Sequence, residues 1–313
     1  KVLPPSDLFH PVLPVRHENK LFFPLCRLCM EHKIKNCNHD SEDDRSFIGT
    51  WITEELKLAV SKGYRILKIF EVYHFENRTD AMFREYIDKF LQIKQESSGW
   101  PSHCKTETEK TAYLEEYRRV EGIALNKDNI SKNPGLRTVS KLALNSFWGR
   151  WGMNEDKVQR VFITDVKELN KMLADPTIII RDFLPYSGEV MELCYNRKEK
   201  FLPKKDITNL FLAAFTTAHA RIKLYQVLDQ LGTAVLYYDT DSVIYVSDGQ
   251  NDPPLGDYLG QFTDELPPIQ YVTEFVSAGP KNYGFRLSSQ ATTVKMRGST
   301  LNYNNSQKIN LLP

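Results

Sequence analysis

No stretch of the 313 residues approaches the roughly 20 apolar residues that a helix needs to cross a bilayer, so no membrane partner is expected. The start at Lys1 shows no basic segment followed by a short apolar run, so no signal peptide is expected either. Excess charge is missing as well. With 41 Lys+Arg against 40 Asp+Glu, the total argues against a general polyanion binder, although local distribution matters more. Cysteine is sparse: five, an odd number without a secretory signal, argue against a disulfide framework and for a reducing compartment. There is no internal repeat and no low-complexity tract. What is present is 41% hydrophobic residues, enough for one large domain or two to three packed subdomains.

One absence is local. From Phe275 to Pro313 there is no acidic residue, while Lys281, Arg286, Lys295, Arg297 and Lys308 are all positive. Such a tail suits a phosphate backbone.

Periodicity predicts an α+β chain. Residues 1–45 are rich in Pro, Cys, His and charge and read as an irregular, loop-built region, with 40–44 as a solvated acidic loop. Thr53 reads as the N-cap of a helix that Lys62 and Gly63 close. Bulky apolar residues on both faces make 65–75 a central strand. Helical spacing follows over 80–95 and 107–119. The breaker Asn133-Pro134-Gly135 precedes another helix over 136–148, so a helical hairpin is expected there. Strands over 158–164, 177–183 and 190–195 around a helix at 166–173 form a small α+β insert. A long helix over about 207–231 leads to two strands, 233–238 and 243–246.

Between those strands lies Tyr237-Tyr238-Asp239-Thr240-Asp241-Ser242-Val243-Ile244-Tyr245, which reads as a β-hairpin with two carboxylates at its tip. Asp and Ser are ordinary turn residues, so a solvent-exposed turn is the plain reading. The aromatic and β-branched flanks predict buried strands that hold the carboxylates rigidly. Mg²⁺ wants carboxylate oxygens presented in that way, together with substrate phosphates. The second signal is the helix carrying Arg137, Lys141 and Asn145 at i, i+4 and i+8, with Trp148 one turn later. Two cations, an amide and a flat ring along one stripe suit a triphosphate and a base. The alternative is an amphipathic surface helix whose Leu136, Val139, Leu142 and Phe147 pack inward. The third cluster is Cys26-x2-Cys29-x7-Cys37-x-His39, four zinc-competent ligands in a segment with little apolar periodicity, where His32 could replace His39. Three free cysteines and a surface histidine are the alternative there. Cys104 and Cys194 read as single cysteines.

Two of these motifs resemble those of family B DNA polymerases. Tyr237-x-Asp239-Thr240-Asp241-Ser242 is similar to their third catalytic motif, and Lys141-x3-Asn145-Ser146-Phe147-Trp148-Gly149 to the second, with Trp in place of the usual Tyr. Ala278-Gly279-Pro280-Lys281-Asn282-Tyr283-Gly284 resembles the downstream Lys-x-Tyr motif. The resemblance implies DNA-directed DNA synthesis with two Mg²⁺ ions. In that reading Asp241 is the main metal ligand and Asp239 the supporting one. Arg137, Lys141, Asn145 and Trp148 bind dNTP, and Lys281 and Tyr283 contact the primer–template.

The insert over 151–204 and the N-terminal segment stand where protein-primed members carry insertions, and Asn145-Ser146-Phe147-Trp148-Gly149 together with Pro24-Leu25-Cys26-Arg27-x-Cys29 looks most like polymerases of the Polinton/Maverick and related viral type. That implies a terminal-protein primer; the cysteine usage, not the resemblance, is what points to a reducing compartment such as a host nucleus or cytoplasm. The resemblance also implies an N-terminal insertion at 1–50, palm at 51–77 and 205–285, fingers at 78–150, a second insertion at 151–204 and the start of a thumb at 286–313. The family's first motif, Asp-x-x-Ser-Leu-Tyr-Pro, has no match. Ser6-Asp7-Leu8-Phe9-His10-Pro11 resembles its second half, with Leu3 where the Asp would stand, and the family's N-terminal proofreading exonuclease is expected to be missing from this chain. The expectations are a C-terminal fragment and no primer extension by this chain alone. A reverse transcriptase is disfavoured, since its hairpin carries adjacent Asp-Asp. A domesticated, non-catalytic nucleic-acid-binding remnant is the alternative outside enzymes.

Overall fold

A computed structural model of the chain describes residues 1–77, 79, 81–154, 156–202, 208–298, 305, 309 and 311. The expected helix starts at Asp80 and Ile207, the insert's end at Lys204 and the tail residue Lys308 lie outside the described residues.

In chain order the elements are β1 (Val2–Leu3), β2 (Val15–His17), β3 (Lys20–Phe22), α1 (Arg27–His32), α2 (Glu42–Arg45), α3 (Thr53–Ser61) and β4 (Arg65–Ile66). They continue with α4 (Arg84–Glu96), α5 (Glu107–Glu121), α6 (Pro134–Gly149), β5 (Gln159–Ile163), α7 (Val166–Ala174), β6 (Ile178–Pro185) and β7 (Met191–Arg197). Last come α8 (Leu210–Leu231), β8 (Val235–Asp239), β9 (Ser242–Tyr245), β10 (Val272–Gly279), β11 (Asn282–Leu287) and β12 (Thr292–Lys295). The result is α+β with small antiparallel sheets, as the periodicity predicts. The chain forms two compact units: one of residues 1–82, 101–125 and 217–313, the other of 83–100 and 126–216.

In the first unit β1 pairs with β4, Val2 opposite Ile66 and Leu3 opposite Arg65, and Val2 also bridges Phe47. Val2, Val12, Leu13, Phe47, Ala59, Tyr64 and Tyr225 form the core beneath them. Burying such side chains is the main stabilising term, roughly 1.5–3 kcal/mol each. Across this core the buried carboxylate of Glu55 on α3 takes two hydrogen bonds from Arg221 on α8, at 2.9 and 2.7 Å. A buried carboxylate needs such a partner. α5 opens on a capping box in which Thr106 accepts from the Glu109 amide and Glu109 accepts from the Thr106 amide.

Four expectations for this unit need correcting. The strand expected over 65–75 is only the two residues of β4; beyond it Ile69, Phe70 and Val72 are exposed. A strand with bulky residues on both faces needs cover on both, and β1 supplies a partner for two residues only. The acidic loop at 40–44 contains α2, tied down by Asp43 to Lys1 at 2.6 Å and by Glu42 to Arg65 at 2.5 Å. The irregular start also holds the β2–β3 hairpin, whose turn residues Glu18 and Asn19 have φ of 46° and 61°, the sign that a tight hairpin requires. Finally, Ile52 rather than Thr53 caps α3, with no side-chain cap bond, while Lys62 and Gly63 (φ 90°) end it as expected.

In the second unit α6 packs on α4, so α6 forms no hairpin with α5, which belongs to the first unit. Asn133 caps α6 by accepting from the Leu136 amide, with Pro134 at its first position. The Phe147 ring stacks on Tyr86 at 4.3 Å and packs edge-on against Phe83 and Trp151 at 5.1 and 4.8 Å. Ser140, 1% exposed, lets the helices approach closely and satisfies its hydroxyl on the Leu136 carbonyl. The expected insert is present as the sheet β5-β7-β6 with α7. Its central strand carries the fully buried Leu193 and the buried Asn196, whose amide bonds Asp156 and Arg181.

Candidate functional site

The strands of the acidic hairpin pair as expected, with Tyr238 opposite Val243 and Asp239 opposite Ser242. They are not buried, which corrects the reading from the flanking residues: Leu236 and Tyr238 are exposed on β8. β8 and β9 form a two-stranded sheet, and the residues of β8 alternate between half-buried and exposed along the strand. The turn is nevertheless held. Its Thr240 has a φ of 57°, a left-handed conformation unfavourable for a β-branched residue. The Asp241 amide donates to the Asp239 carbonyl at 2.6 Å, and the Ser242 hydroxyl donates to the same oxygen at 3.1 Å. Strained turns of this kind gather at functional sites.

The two carboxylates differ in surroundings. Asp239 is partly buried and accepts from Thr240 Oγ1 at 3.0 Å and from Lys281 Nζ at 2.5 Å. The lysine holds the Asp239 carboxyl below its usual range, and Asp239 raises the Lys281 ammonium in return. Asp241 is exposed. A pair of carboxylates two residues apart on a turn fits the oxygen-donor chemistry of a hard divalent cation. Of the two, Asp241 is the one presented outward.

Lys281 reaches Asp239 from the β10–β11 hairpin. Its own φ is 60°, next to Gly279 at 117°, and its backbone amide donates to the Tyr237 hydroxyl at 2.8 Å. Below that bond the Tyr237 and Tyr283 rings pack at 4.7 Å, with Phe275 6.3 Å from Tyr237. The structure thus brings together Asp239, Lys281 and Tyr283 from two hairpins. Sequence reasoning missed Tyr237, whose hydroxyl joins the hairpins; its only signal was its place at the start of the acidic motif. His10 was also missed. Its ring lies 6.3 Å from Tyr238, so the segment resembling half of a first motif runs beside β8, with Leu3 buried in the strand β1. Of the basic tail, Lys281 and Arg286 are paired with Asp239 and Glu274, acidic residues that precede it.

In the second unit Arg137, Lys141, Asn145 and Trp148 all emerge on the exposed side of α6. Arg137 Nε donates to Ser98 Oγ at 3.1 Å, which fixes the start of the stripe. Leu136, Val139 and Leu142 do not pack inward; they are exposed, and Ser140, Ala143, Leu144 and Phe147 make the covered side instead. The helix is therefore not an ordinary amphipathic helix with its apolar face buried.

The cysteine–histidine cluster closes in the first unit. Cys26 precedes α1, Cys29 lies within it, and the loop after α1 returns Cys37 and His39. The four ligand atoms lie within 4.8 Å of one another, with His39 rather than His32 as the fourth. Backbone and side-chain hydrogen bonds at His39 lower the Cys37 thiol to about 7, while burial raises Cys29 to about 12.

The family model "DNA polymerase type B, organellar and viral" matches residues 1–113 and 118–232. A protein of Neurospora intermedia named "Probable DNA polymerase" is 26% identical over 82% of this chain, and one of the same name from Podospora anserina is 28% identical over 70%. The chain spans about a fifth of the length of these curated relatives, 22% and 17% respectively. No solved structure matches.

Proposed function

The chain belongs to the organellar and viral type B DNA polymerases, and from that premise we propose that it carries the metal-binding and nucleotide-binding parts of a DNA-directed DNA polymerase. The acidic turn carries the reading: Asp239 and Asp241 stand on a strained hairpin tip locked to a second hairpin through Lys281 and Tyr237. Asp241, with Asp239 in support, would hold Mg²⁺. When bound, the metal neutralises charge on the phosphates and on the oxygens that attack and leave. Lys141 and Arg137 place positive charge where a triphosphate lies, Asn145 offers an amide to the sugar or base, and Trp148 a flat surface. Lys281 and Tyr283 face the growing end of the primer–template. In family terms, 51–77 and 205–285 are palm, 78–150 fingers, and the thumb starts at 286. We read the subfamily as protein-primed, of the Polinton and viral type, with 1–50 and 151–204 as its insertions and a terminal protein as primer, working in a reducing compartment. The thiol–imidazole cluster is structural rather than catalytic.

Equilibrium binding of a fluorescent dNTP to the purified chain tests the proposal. Binding should require Mg²⁺, and the Mg²⁺ dependence should vanish in Asp241→Ala. Lys141→Ala should weaken binding by about tenfold or more, the loss of one charge-assisted contact. Metal-independent binding, or binding indifferent to both substitutions, would sink the reading. Because no first motif is present, the chain alone is expected to yield no primer extension. Mg²⁺-dependent product that disappears in Asp241→Ala would overturn that expectation.

A further inference from the structure

We propose that Cys26, Cys29, Cys37 and His39 bind one Zn²⁺ ion that clamps residues 24–47 onto the β1 core of the first unit. His39 Nδ1 lies 3.5, 3.4 and 3.7 Å from the sulfurs of Cys26, Cys29 and Cys37. A tetrahedral zinc with Zn–S of about 2.3 Å and Zn–N of about 2.0 Å sets those edges at about 3.5 Å. The cluster therefore has the size of a zinc coordination shell. The three sulfurs bind as thiolates, so whichever thiol protons remain leave to solvent, and three thiolates with one Zn²⁺ make a site of net charge −1. His39 takes part neutral, with its ring proton on Nε2.

The local architecture is that of a zinc knuckle. Cys26 precedes the first turn of α1, and its carbonyl accepts from the Met30 amide. The Cys29 carbonyl accepts from the Ile34 amide as Lys33, φ 57°, turns the chain back. From Arg27 to Arg45 no residue is fully buried, and α1 is six residues long, too short to persist by itself. Apolar burial cannot hold this segment. Its polar links lead straight to the core. Arg27 donates to the Asp43 carbonyl at 3.1 Å, Asp43 pairs with Lys1, Arg45 donates to the Pro4 carbonyl at 3.0 Å, and Phe47 bridges Val2. A metal joining α1 to the strand of chain before α2 fixes each of these links at once.

Metal analysis of the full chain purified from zinc-supplemented culture should give close to one zinc per molecule. Cys29→Ser and His39→Ala should lose it, and Cys104→Ser and Cys194→Ser should keep it. Near-zero zinc in the unsubstituted chain, zinc unchanged in the ligand variants, or a disulfide among the three thiols in its place overturns the site. Should the serine and alanine variants unfold, two readouts remain. Cys37→His retains four donors and should retain metal, and Co²⁺-loaded wild type should show the visible absorption of tetrahedral thiolate ligation; its absence counts against the site. Hydrogen exchange with and without chelator reads the clamp separately. Uptake should rise across 24–47 and stay unchanged in β10–β12, whereas metal removal that leaves 24–47 equally protected refutes the clamp.

Discussion

At the scale of single residues, the decisive contact is one lysine on one carboxylate. Lys281 and Asp239 are 42 positions apart and come from different hairpins. Both were legible as motif residues, yet their pairing was not, because it depends on the Tyr237 hydroxyl bringing the two turns together. Nor could sequence reveal the left-handed Thr240, since nothing local favours that conformation for threonine. Replacing Lys281 by Met should return the Asp239 carboxyl toward its ordinary value, about 3.9, as followed by NMR titration of its side chain. The sign is that of a depressed acid. The pair's contribution to stability is present above the ordinary value and lost as pH falls through the lower value of the folded chain. An Asp239 titration unmoved in Lys281→Met would mean that solvent, not lysine, governs it.

At the scale of elements, the helices from α3 onward and the α+β insert follow the sequence to within a few residues because their periodicity is strong, whereas the short α1 and α2 lay in a stretch read as loop. Asn133-Pro134 starts α6 in both reading and structure. The failures lie where tertiary partners decide. The apolar run at 65–75 looks like a strand but has two paired residues, and α6 chooses α4 over its sequence neighbour α5. The same choice sets the covered side of α6: Phe147 packs against Tyr86 while Leu136, Val139 and Leu142 face outward. Phe147→Ala should destabilise the second unit by about 2 kcal/mol, less than a fully buried phenylalanine would cost. Leu142→Ala, on the exposed side, should cost about 0.5 kcal/mol or less in the same denaturant titration. Equal effects would show that the two sides are not distinguished.

At the scale of the whole molecule, charge is close to balanced and the candidate DNA contacts are few. With Lys281 and Arg286 engaged by carboxylates, Arg137, Lys141, Lys295 and Arg297 are the motif and tail cations left among the described residues to meet phosphates. At about 0.9 per phosphate neutralised, the slope of log K against log salt for duplex binding should be no steeper than about −4. A much steeper slope in a salt titration would place the main contact surface elsewhere. The family was legible from three short motifs, whereas the division into two compact units was not, since 101–125 joins the first unit from between two segments of the second. The outward-facing leucines and valine of α6 have a colloidal consequence. A net charge of +1 gives molecules almost no mutual repulsion, so an apolar stripe left in water makes one copy sticky toward the next. The exposed stripe of α6 thus sets a ceiling on how concentrated this chain can be kept.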